Sequence, residues 1–332
     1  MNELNPRPMT SSNENLIVLE GIKKYYPVKR GLFSKTVVLG KAVDGVDLMI
    51  RTGETMGLVG ESGCGKSTLS RVILRLENPT EGTISFEGEN ILDFGKGKLQ
   101  NLRQRMQIVF QDPYSSLDPR KTVGHLIGEP LVIHGIGRKS ERKQIVLNLL
   151  AEVGLRPEHI DRYPHQFSGG QRQRIGIARA LCLRPKFIIC DEPVSALDVS
   201  VQAQVINLLK DLQVKYQLTY LFISHDLSVV EHISDRVAVM YLGQIVECAD
   251  RDSLFRQPLH PYTKALLSAS PSPIPNKAKM RIILKGDVPS VFNPPSGCGF
   301  HSRCPIARSK CRDEKPRLMD VGGERRVRCP YY

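Results

Sequence analysis

The chain contains 332 residues, of which 41% are hydrophobic and 24% are charged, a composition typical of a globular protein with a sizeable core. No apolar run approaches the ~20 residues of a membrane-spanning helix, and the polar first fourteen residues lack the apolar stretch of a secretory signal. The net charge of +13 is concentrated in residues 264–332, where 14 Lys and Arg accompany 5 Asp and Glu; nucleic acid, an anionic membrane face, a cluster of thiolates or a merely solvated surface would each account for this excess.

The first part of the chain is predicted to be a tail followed by short strands. Residues 1–15 are expected to be disordered. Strands are predicted at residues 16–21 and 46–50, the second ending before a Thr-Gly-Glu turn, and a further strand is predicted at residues 82–86.

A phosphate-binding loop lies between these strands, because residues 60–67 read Gly-Glu-Ser-Gly-Cys-Gly-Lys-Ser, a complete G-x-x-x-x-G-K-[ST] motif. A strand-like apolar run precedes it and a helix-like run follows it, which is the setting that the motif requires. The glycines let backbone N–H groups surround phosphate oxygens at a helix N-terminus. A glycine-rich turn with a chance lysine is the alternative. The motif predicts that a nucleoside triphosphate is bound by Gly60, Ser62, Gly63, Cys64, Gly65, Lys66, Ser67 and Thr68.

Two polar residues of this motif, and a glutamine further along the chain, each have a predicted contact. Lys66 would reach the β- and γ-phosphates, and the hydroxyl of Ser67 would ligate Mg²⁺. Gln111, which follows an apolar run further along the chain, could contact the same Mg²⁺ and the attacking water.

The middle of the chain changes character and reads as helical. A helical pattern at residues 141–153 is bounded by glycines and a proline. Ser168 is a plausible N-cap for a long amphipathic run at 172–183, and the paired glycines Gly169 and Gly170 allow close approach to an anion at that helix end. Taken alone, however, Ser-Gly-Gly is an ordinary turn.

Two short apolar runs at 186–191 and 219–224 each follow a predicted helix, which indicates a parallel α/β sheet. The first run ends in an acidic pair, at the sheet edge where such folds place their chemistry. Asp191 would hold Mg²⁺ through water, and Glu192 would polarise the attacking water. His225 follows the second run; taken alone, it would more often be a structural histidine.

In this order the features resemble the ATP-binding cassette (ABC) family, over roughly residues 16–250. The signature of that family appears as Phe-Ser-Gly-Gly-Gln at 167–171, and its D-loop as Ser-Ala-Leu-Asp at 195–198. The resemblance implies an α/β P-loop NTPase (RecA-like) fold, with a parallel sheet core, an antiparallel β subdomain and a helical subdomain inserted at about 112–178. It also implies two subunits that sandwich two ATP molecules, each between the phosphate loop of one subunit and the signature segment of the other.

The same resemblance assigns roles to individual residues. Gln111 and His225 would sense the γ-phosphate, and Glu192 would be the general base. The partner's ATP would be contacted by Ser168, Gly169, Gly170, Gln171 and Asp198. Adenine stacks on an aromatic residue in this family. The family's pattern places that residue at the end of the run at 22–26, which favours Tyr26 over Tyr25. Packing in the interior is the alternative role for either tyrosine.

A narrower resemblance, to the ATPase subunits of oligopeptide and dipeptide importers, is carried by residues 112–120, residues 260–267 and the cysteine-containing tail. It implies a cassette at 16–257 and a C-terminal extension at 258–332. It further implies two transmembrane permease subunits, a paralogous ATPase partner, a solute-binding protein acting indirectly and a peripheral place on the cytoplasmic face of the cell membrane. No nucleic acid is expected. The alternatives are a soluble ABC ATPase acting on nucleic acid or ribosomes, and an importer of nickel, heme or glutathione.

The tail holds four of the eight cysteines, Cys298, Cys304, Cys311 and Cys329, spaced C-x5-C-x6-C-x17-C. In a chain without a secretory signal, such cysteines indicate free thiols or metal ligation and a reducing, cytoplasmic location. Four thiolates suit either a tetrahedral zinc ion or an iron–sulfur cluster. The resemblance favours a 4Fe-4S cluster, because some importers of the resembled group hold one in this region; zinc and unliganded thiols are the alternatives. The remaining four cysteines are predicted to pack as small apolar residues.

Overall fold

The computed structural model describes residues 14–29, 37–269 and 282–332. Its strands are β1 Asn15–Lys29, β2 Val37–Arg51, β3 Thr55–Val59, β4 Glu81–Phe86, β5 Glu89–Asn90, β6 Met106–Val109, β7 Phe187–Asp191, β8 Thr219–Ile223, β9 Arg236–Tyr241, β10 Gln244–Asp250, β11 Met319–Asp320 and β12 Arg326–Val327. Its α-helices are α1 Lys66–Ile73, α2 Lys96–Arg105, α3 Pro113–Ser116, α4 Val123–Ile133, α5 Lys139–Glu152, α6 Gly169–Leu181, α7 Val199–Tyr216, α8 Leu227–Ile233, α9 Arg251–Arg256, α10 Pro261–Ala269 and α11 Lys310–Asp313.

The central sheet confirms the predicted parallel α/β core. Within the described residues its strand order is β11-β12-β10-β9-β3-β8-β7-β6. The five strands from β9 to β6 pair in parallel. Helices cover both faces of such a sheet, which explains why β3, β8 and β9 are buried along their whole length. The carboxyl ends of these strands share one edge, where the segments after β3, β6, β7 and β8 meet.

A second sheet is antiparallel and has the strand order β2-β1-β4-β5 among the described residues. The strands predicted at 16–21, 46–50 and 82–86 all lie within it, in β1, β2 and β4. β1 and β2 are 15 residues each, longer than expected, because their ladder continues past several register shifts. β1 begins at Asn15, and residues 1–13 of the predicted tail lie outside the described residues.

Helices α3 to α6 lie between β6 and β7 in the chain, where the helical subdomain was predicted. The pattern at 141–153 corresponds to α5, whose first turn is closed by the backbone N–H of Arg138 donating to Glu141 Oε2 at 2.6 Å. α6 begins at Gly169, immediately after the predicted N-cap, Ser168.

The last segment of the chain joins the central sheet. β12 pairs antiparallel with β10, bringing Val327 opposite Glu247, and β11 pairs with β12. Phe300 is fully buried against Tyr241 and Tyr262, with ring centroids 5.2 and 5.5 Å apart. The C-terminal extension therefore shares a core with the cassette, although the two are predicted as separate segments, 16–257 and 258–332.

Candidate functional site

The loop at residues 60–65 joins β3 to α1, as the motif predicts. Two of its glycines are required by close backbone contacts. A Cβ on Gly65, whose φ is +109°, would lie 2.1 Å from the carbonyl oxygen of Ala42, and one on Gly60 would lie 2.2 Å from that of Met240. Any larger residue would push the loop away from β2 and β9.

Lys66 is buried, and its ammonium group lies inside the loop. Nζ donates to the carbonyl oxygens of Gly60 at 2.8 Å and Glu61 at 3.1 Å. The carbonyl oxygens of the loop thus hold the positive charge of Lys66 near the N-terminus of α1. A helix N-terminus favours a bound anion.

Ser67 and Asp191 face each other across the sheet edge. Ser67 Oγ donates to Asp191 Oδ1 at 3.4 Å. Burial raises the pKa of Asp191, and the neighbouring charge of Glu192 adds to this effect, while the Ser67 hydroxyl opposes it. A hydroxyl and a carboxylate are ligands that Mg²⁺ prefers, and a divalent cation would offset the cost of burying this carboxylate. The pair therefore fits a magnesium site.

Glu192 is the point on which two other predicted residues converge. Gln111 Nε2 donates to Glu192 Oε2 at 2.9 Å, and His225 Nδ1 lies 3.1 Å from the same oxygen. Because a carboxylate only accepts hydrogen bonds, Nδ1 carries the proton in this arrangement. Glu192 also has a φ of +46°, a left-handed backbone that is strained for a residue with a side chain.

These side chains open onto one cavity of about 630 Å³. It is lined by Ala42, Ser62, Gly63, Gly65, Lys66, Ser67, Thr68, Gln111, Glu192, His225 and Val291. The fold thereby gathers at one place the loop, the glutamine, the glutamate and the histidine that are far apart in the sequence. Such a cavity can hold a triphosphate, its metal ion and a water molecule next to a carboxylate.

The two adjacent tyrosines point in different directions. The hydroxyl of Tyr25 donates to Asp44, whereas that of Tyr26 donates to Glu77 and lies beside Thr68, a residue of the cavity. Neither ring lines the cavity itself.

The signature segment caps α6 and lies away from this cavity. Ser168 Oγ accepts from the backbone N–H of Gln171 at 3.4 Å, and Gln171 Oε1 accepts from that of Ser168 at 3.1 Å, so the predicted N-cap is confirmed. Gly170 is buried against α7, since a Cβ there would lie 2.3 Å from Cγ1 of Val201. Asp198 is exposed, directly before α7.

Some residues around the phosphate loop had no recognisable signal in the sequence. Arg303 donates to both carboxylate oxygens of Glu61, at 2.8 and 3.1 Å, over a separation of 242 residues. The hydroxyl of Tyr262 accepts from the backbone N–H of Glu61 at 3.0 Å. Val291 lines the cavity itself. All three belong to the C-terminal extension, and no local motif links any of them to the loop.

The four tail cysteines line a shared cavity of about 310 Å³. The metal site predicted at Cys298, Cys304, Cys311 and Cys329 is not borne out as a formed one: the part of the chain that is described contains no group of three or more Cys, His, Asp or Glu side chains placed to hold a metal ion. Burial raises the pKa of Cys298, and neighbouring thiols raise it further. The other four cysteines are buried, as predicted.

Within the described ranges, no helix combines the length and the apolar character needed to cross a membrane.

Comparisons with known proteins match both parts of the chain. The ABC transporter family model matches residues 43–195, and a model described as the C-terminal region of oligopeptide/dipeptide transporters matches residues 246–311. The oligopeptide transport ATP-binding protein AppF of Bacillus subtilis is 53% identical over 328 residues, covering 98% of this chain and 100% of the relative. The dipeptide transport ATP-binding protein DppF of Escherichia coli is 52% identical over 303 residues, covering 91% and 90%.

Solved structures agree in fold. A dimeric ATP-binding cassette in a post-hydrolysis state, bound to ADP and Pi, superposes with a TM-score of 0.63 at 29% identity, over 71% of this chain and 98% of the other. The CbiO1 component of an ABC transporter complex of Clostridium perfringens gives a TM-score of 0.64 at 27% identity, over 74% and 92%.

Proposed function

Since the chain belongs to the ATP-binding cassette transporter family, we propose that it is the ATP-hydrolysing subunit of an importer of dipeptides or oligopeptides. The observation that carries this proposal is the convergence of the phosphate loop, Gln111, Glu192 and His225 on one cavity. Relatives named as oligopeptide and dipeptide transport proteins, similar over nearly the whole chain, support the cargo class.

The loop binds the phosphates of ATP. Backbone N–H groups of residues 60–68 and the N-terminus of α1 attract the phosphate oxygens, and Lys66 neutralises the β- and γ-phosphates. Ser67 and Asp191 would hold Mg²⁺, which would supply positive charge to offset the negative charge of the phosphates.

Glu192 acts as the general base for the attacking water. Its Oε2 already accepts from Gln111 and faces His225, so both residues fix the direction of the carboxylate. In the hydrolytic complex, Gln111 and His225 would contact the γ-phosphate and report its presence.

A second ATPase subunit completes the site. The signature segment lies outside this chain's own cavity, which supports a role toward the ATP of a partner, with contacts from Ser168, Gly169, Gly170, Gln171 and Asp198. Tyr26, which lies beside Thr68, is the residue that we expect to stack on adenine. We expect the partner to be a paralogous subunit.

The motion of the ATPase pair is passed to two permease subunits that span the membrane. The chain therefore lies peripherally on the cytoplasmic face, and a solute-binding protein acts only through the permeases. Nucleic acid is not a partner.

Transport by the reconstituted complex tests this proposal. The chain, its ATPase partner and the permeases are placed in proteoliposomes, and ATP-driven accumulation of a labelled dipeptide or oligopeptide is measured, with nickel, heme and glutathione as competing cargoes. Peptide uptake that is lost in a Lys66→Ala variant is expected. Uptake only of a non-peptide cargo would overturn the cargo class. Co-sedimentation with ribosomes and no association with permeases would overturn the transport function.

For the cysteine cavity, we propose a 4Fe-4S cluster, with zinc as the alternative. A single zinc ion with Zn–S bonds of about 2.3 Å needs thiolates drawn to one point, whereas a cluster is larger and suits thiols spread around a cavity. Lys310 and Arg328 line the same cavity and would offset the cluster's negative charge. The cluster would supply folding energy to the extension.

Anaerobic purification with iron, sulfide and zinc analysis tests this assignment. About four iron and four sulfide per chain, with brown absorbance lost in Cys311→Ser, is the expected result. Colourless, metal-free protein with normal ATPase activity would refute it.

A further inference from the structure

Glu61, the second residue of the phosphate loop, is bound at three points. Its carboxylate accepts from Arg303 Nη1 at 2.8 Å and Nη2 at 3.1 Å. Its backbone N–H donates to the hydroxyl of Tyr262, and its carbonyl oxygen accepts from Lys66 Nζ at 3.1 Å. One residue therefore connects the C-terminal extension to the lysine that faces the phosphates.

The two residues that bind Glu61 from the extension are themselves rigidly placed. The side chain of Arg303 is only 9% exposed, and its guanidinium lies over the ring of Tyr241. Tyr262 is fully buried, with its ring 4.7 Å from that of Tyr241 and 5.5 Å from that of Phe300. A planar guanidinium that bonds both oxygens of a carboxylate fixes direction as well as distance.

The extension reaches the nucleotide cavity at a second place. Val291 lines that cavity, and its carbonyl oxygen accepts from the backbone N–H of Lys41 at 3.0 Å. Phe292 packs against Gly40, where a Cβ would come within 2.6 Å of the ring. The neighbouring Ala42 also lines the cavity, so this contact braces the part of the cavity wall that Ala42 and Val291 form.

We propose that Arg303 is a positioning residue for ATP, which acts through Glu61 to hold the phosphate loop and Lys66 in their binding geometry. This proposal rests on the ATPase function proposed above. The C-terminal extension then sets the affinity of the cassette for ATP, in addition to any role of its cysteines. Because Arg303 touches neither the phosphates nor the water, its loss affects binding of ATP more than the chemical step.

ATPase kinetics of the assembled transporter test the proposal through the separate behaviour of KM and kcat. In Arg303→Met, which keeps the length of the side chain, KM for ATP is expected to rise about tenfold while kcat stays within about twofold. Arg303→Lys keeps the charge but loses the bidentate contact with Glu61. Its KM for ATP should therefore lie between those of wild type and Arg303→Met. Arg312→Met, which replaces an exposed arginine of the same extension that lines neither cavity, serves as the matched control with wild-type KM.

A double-mutant cycle assigns the effect to the pair. Glu61→Gln should raise KM by a similar factor, and Arg303→Met combined with Glu61→Gln should raise it no further than either change alone. Additive effects, or a wild-type KM in Arg303→Met, would overturn the proposal. If Arg303→Met does not fold, Glu61→Gln alone tests the proposal, because it leaves the packing of Arg303 in place. A wild-type KM for ATP in Glu61→Gln would then overturn the proposal.

Two further measurements separate this proposal from the others. Metal content per chain should be the same in Arg303→Met as in wild type, and a KM that rises only where metal is lost would place the effect in the cysteine cavity and refute the role of Arg303. If the wild-type assembly hydrolyses no ATP, the proposed ATPase function is refuted. If the wild-type assembly hydrolyses ATP normally and the Arg303 and Glu61 variants keep its KM, only the positioning role of Arg303 is refuted.

Discussion

The side-chain amide of Gln111 donates a 2.9 Å hydrogen bond to Oε2 of Glu192, a residue 81 positions further along the chain. The two meet because β6 and β7 are parallel neighbours whose carboxyl ends share one edge of the sheet. As the proposed general base, Glu192 has its carboxylate held toward the cavity by this contact, so binding of the water would require little reorganisation.

Replacing Glu192 with glutamine should leave ATP binding within about threefold of wild type and lower turnover by about 10²–10⁴-fold, the usual contribution of a general base. Glutamine keeps the size of the side chain and an oxygen that can accept from Gln111. Phosphate release under saturating ATP measures turnover, and equilibrium binding of a labelled nucleotide measures affinity. Hydrolysis at a near-normal rate would remove Glu192 from the role of base.

Removing Mg²⁺ with a chelator should abolish hydrolysis, and Ser67→Ala should raise the Mg²⁺ concentration needed for half-maximal activity about tenfold or more. The reason is the 3.4 Å contact between Ser67 Oγ and Asp191 Oδ1, the two groups that we propose hold the ion. Magnesium titrations of ATPase activity make the measurement. Ser70→Ala is the control, because the Ser70 hydroxyl bonds back to the carbonyl oxygen of Lys66 within α1. A Mg²⁺ requirement unaltered in Ser67→Ala would contradict the assignment.

The substitution Gly170→Ala should destabilise the protein, although alanine normally favours a helix. The added Cβ would lie 2.3 Å from Cγ1 of Val201, and overpacking of this kind costs about 1–3 kcal/mol. Urea unfolding measures the change, and the second substitution Val201→Ala should recover part of it. At Gly176, in the same helix, the new Cβ of an alanine would have no heavy atom of the described residues within 4 Å apart from its own helix backbone, so Gly176→Ala should stabilise the protein by up to about 1 kcal/mol. Equal effects at both glycines would show that α6 and α7 are not in close contact.

The protein should lose stability in mild acid because of His260. This side chain is 2% exposed, and burial lowers its pKa to about 3, helped by the charges of Arg328 and Lys264. Between pH 6.5 and pH 3 the unfolded chain binds a proton that the folded protein does not, so the free energy of unfolding decreases as the pH falls. Going from pH 7.5 to pH 5 should cost roughly 2 kcal/mol from this group alone.

Unfolding midpoints of wild type, His260→Asn and the control His125→Asn at these two pH values make that measurement. Asparagine can still accept from the backbone N–H of Tyr262, which bonds His260 Nδ1 at 3.1 Å. The decrease in the free energy of unfolding from pH 7.5 to pH 5 should be about 2 kcal/mol smaller in His260→Asn than in wild type and His125→Asn. An identical loss in all three would mean that His260 is protonated in the folded protein.

Much of the site was predictable because its parts are local. The phosphate loop, the Asp191–Glu192 pair and His225 each follow a buried strand, and parallel strands end at one edge, so their meeting in space follows from the pattern. The N-cap of α6 was predictable for the same reason, since a capping box lies within four residues.

The contacts made by the C-terminal extension could not be predicted in this way. Arg303 and Glu61 are 242 residues apart, and neither lies in a pattern that names the other. The pairing of β12 with β10 rests on two residues per strand, too few for a periodic signal. The number of cysteines in the tail and the family resemblance predicted a metal site, but only folding decides how the four thiols are arranged around their shared cavity.

The pairing of β12 with β10 also bears on how the protein is made. The outer edge of β10 gains its neighbour only when residues near 326 have left the ribosome, so most of the cassette is synthesised while that edge is still open. A version cut at residue 257 would keep every ATP motif yet display unpaired backbone donors and acceptors along β10, which favours sheet extension between molecules and aggregation.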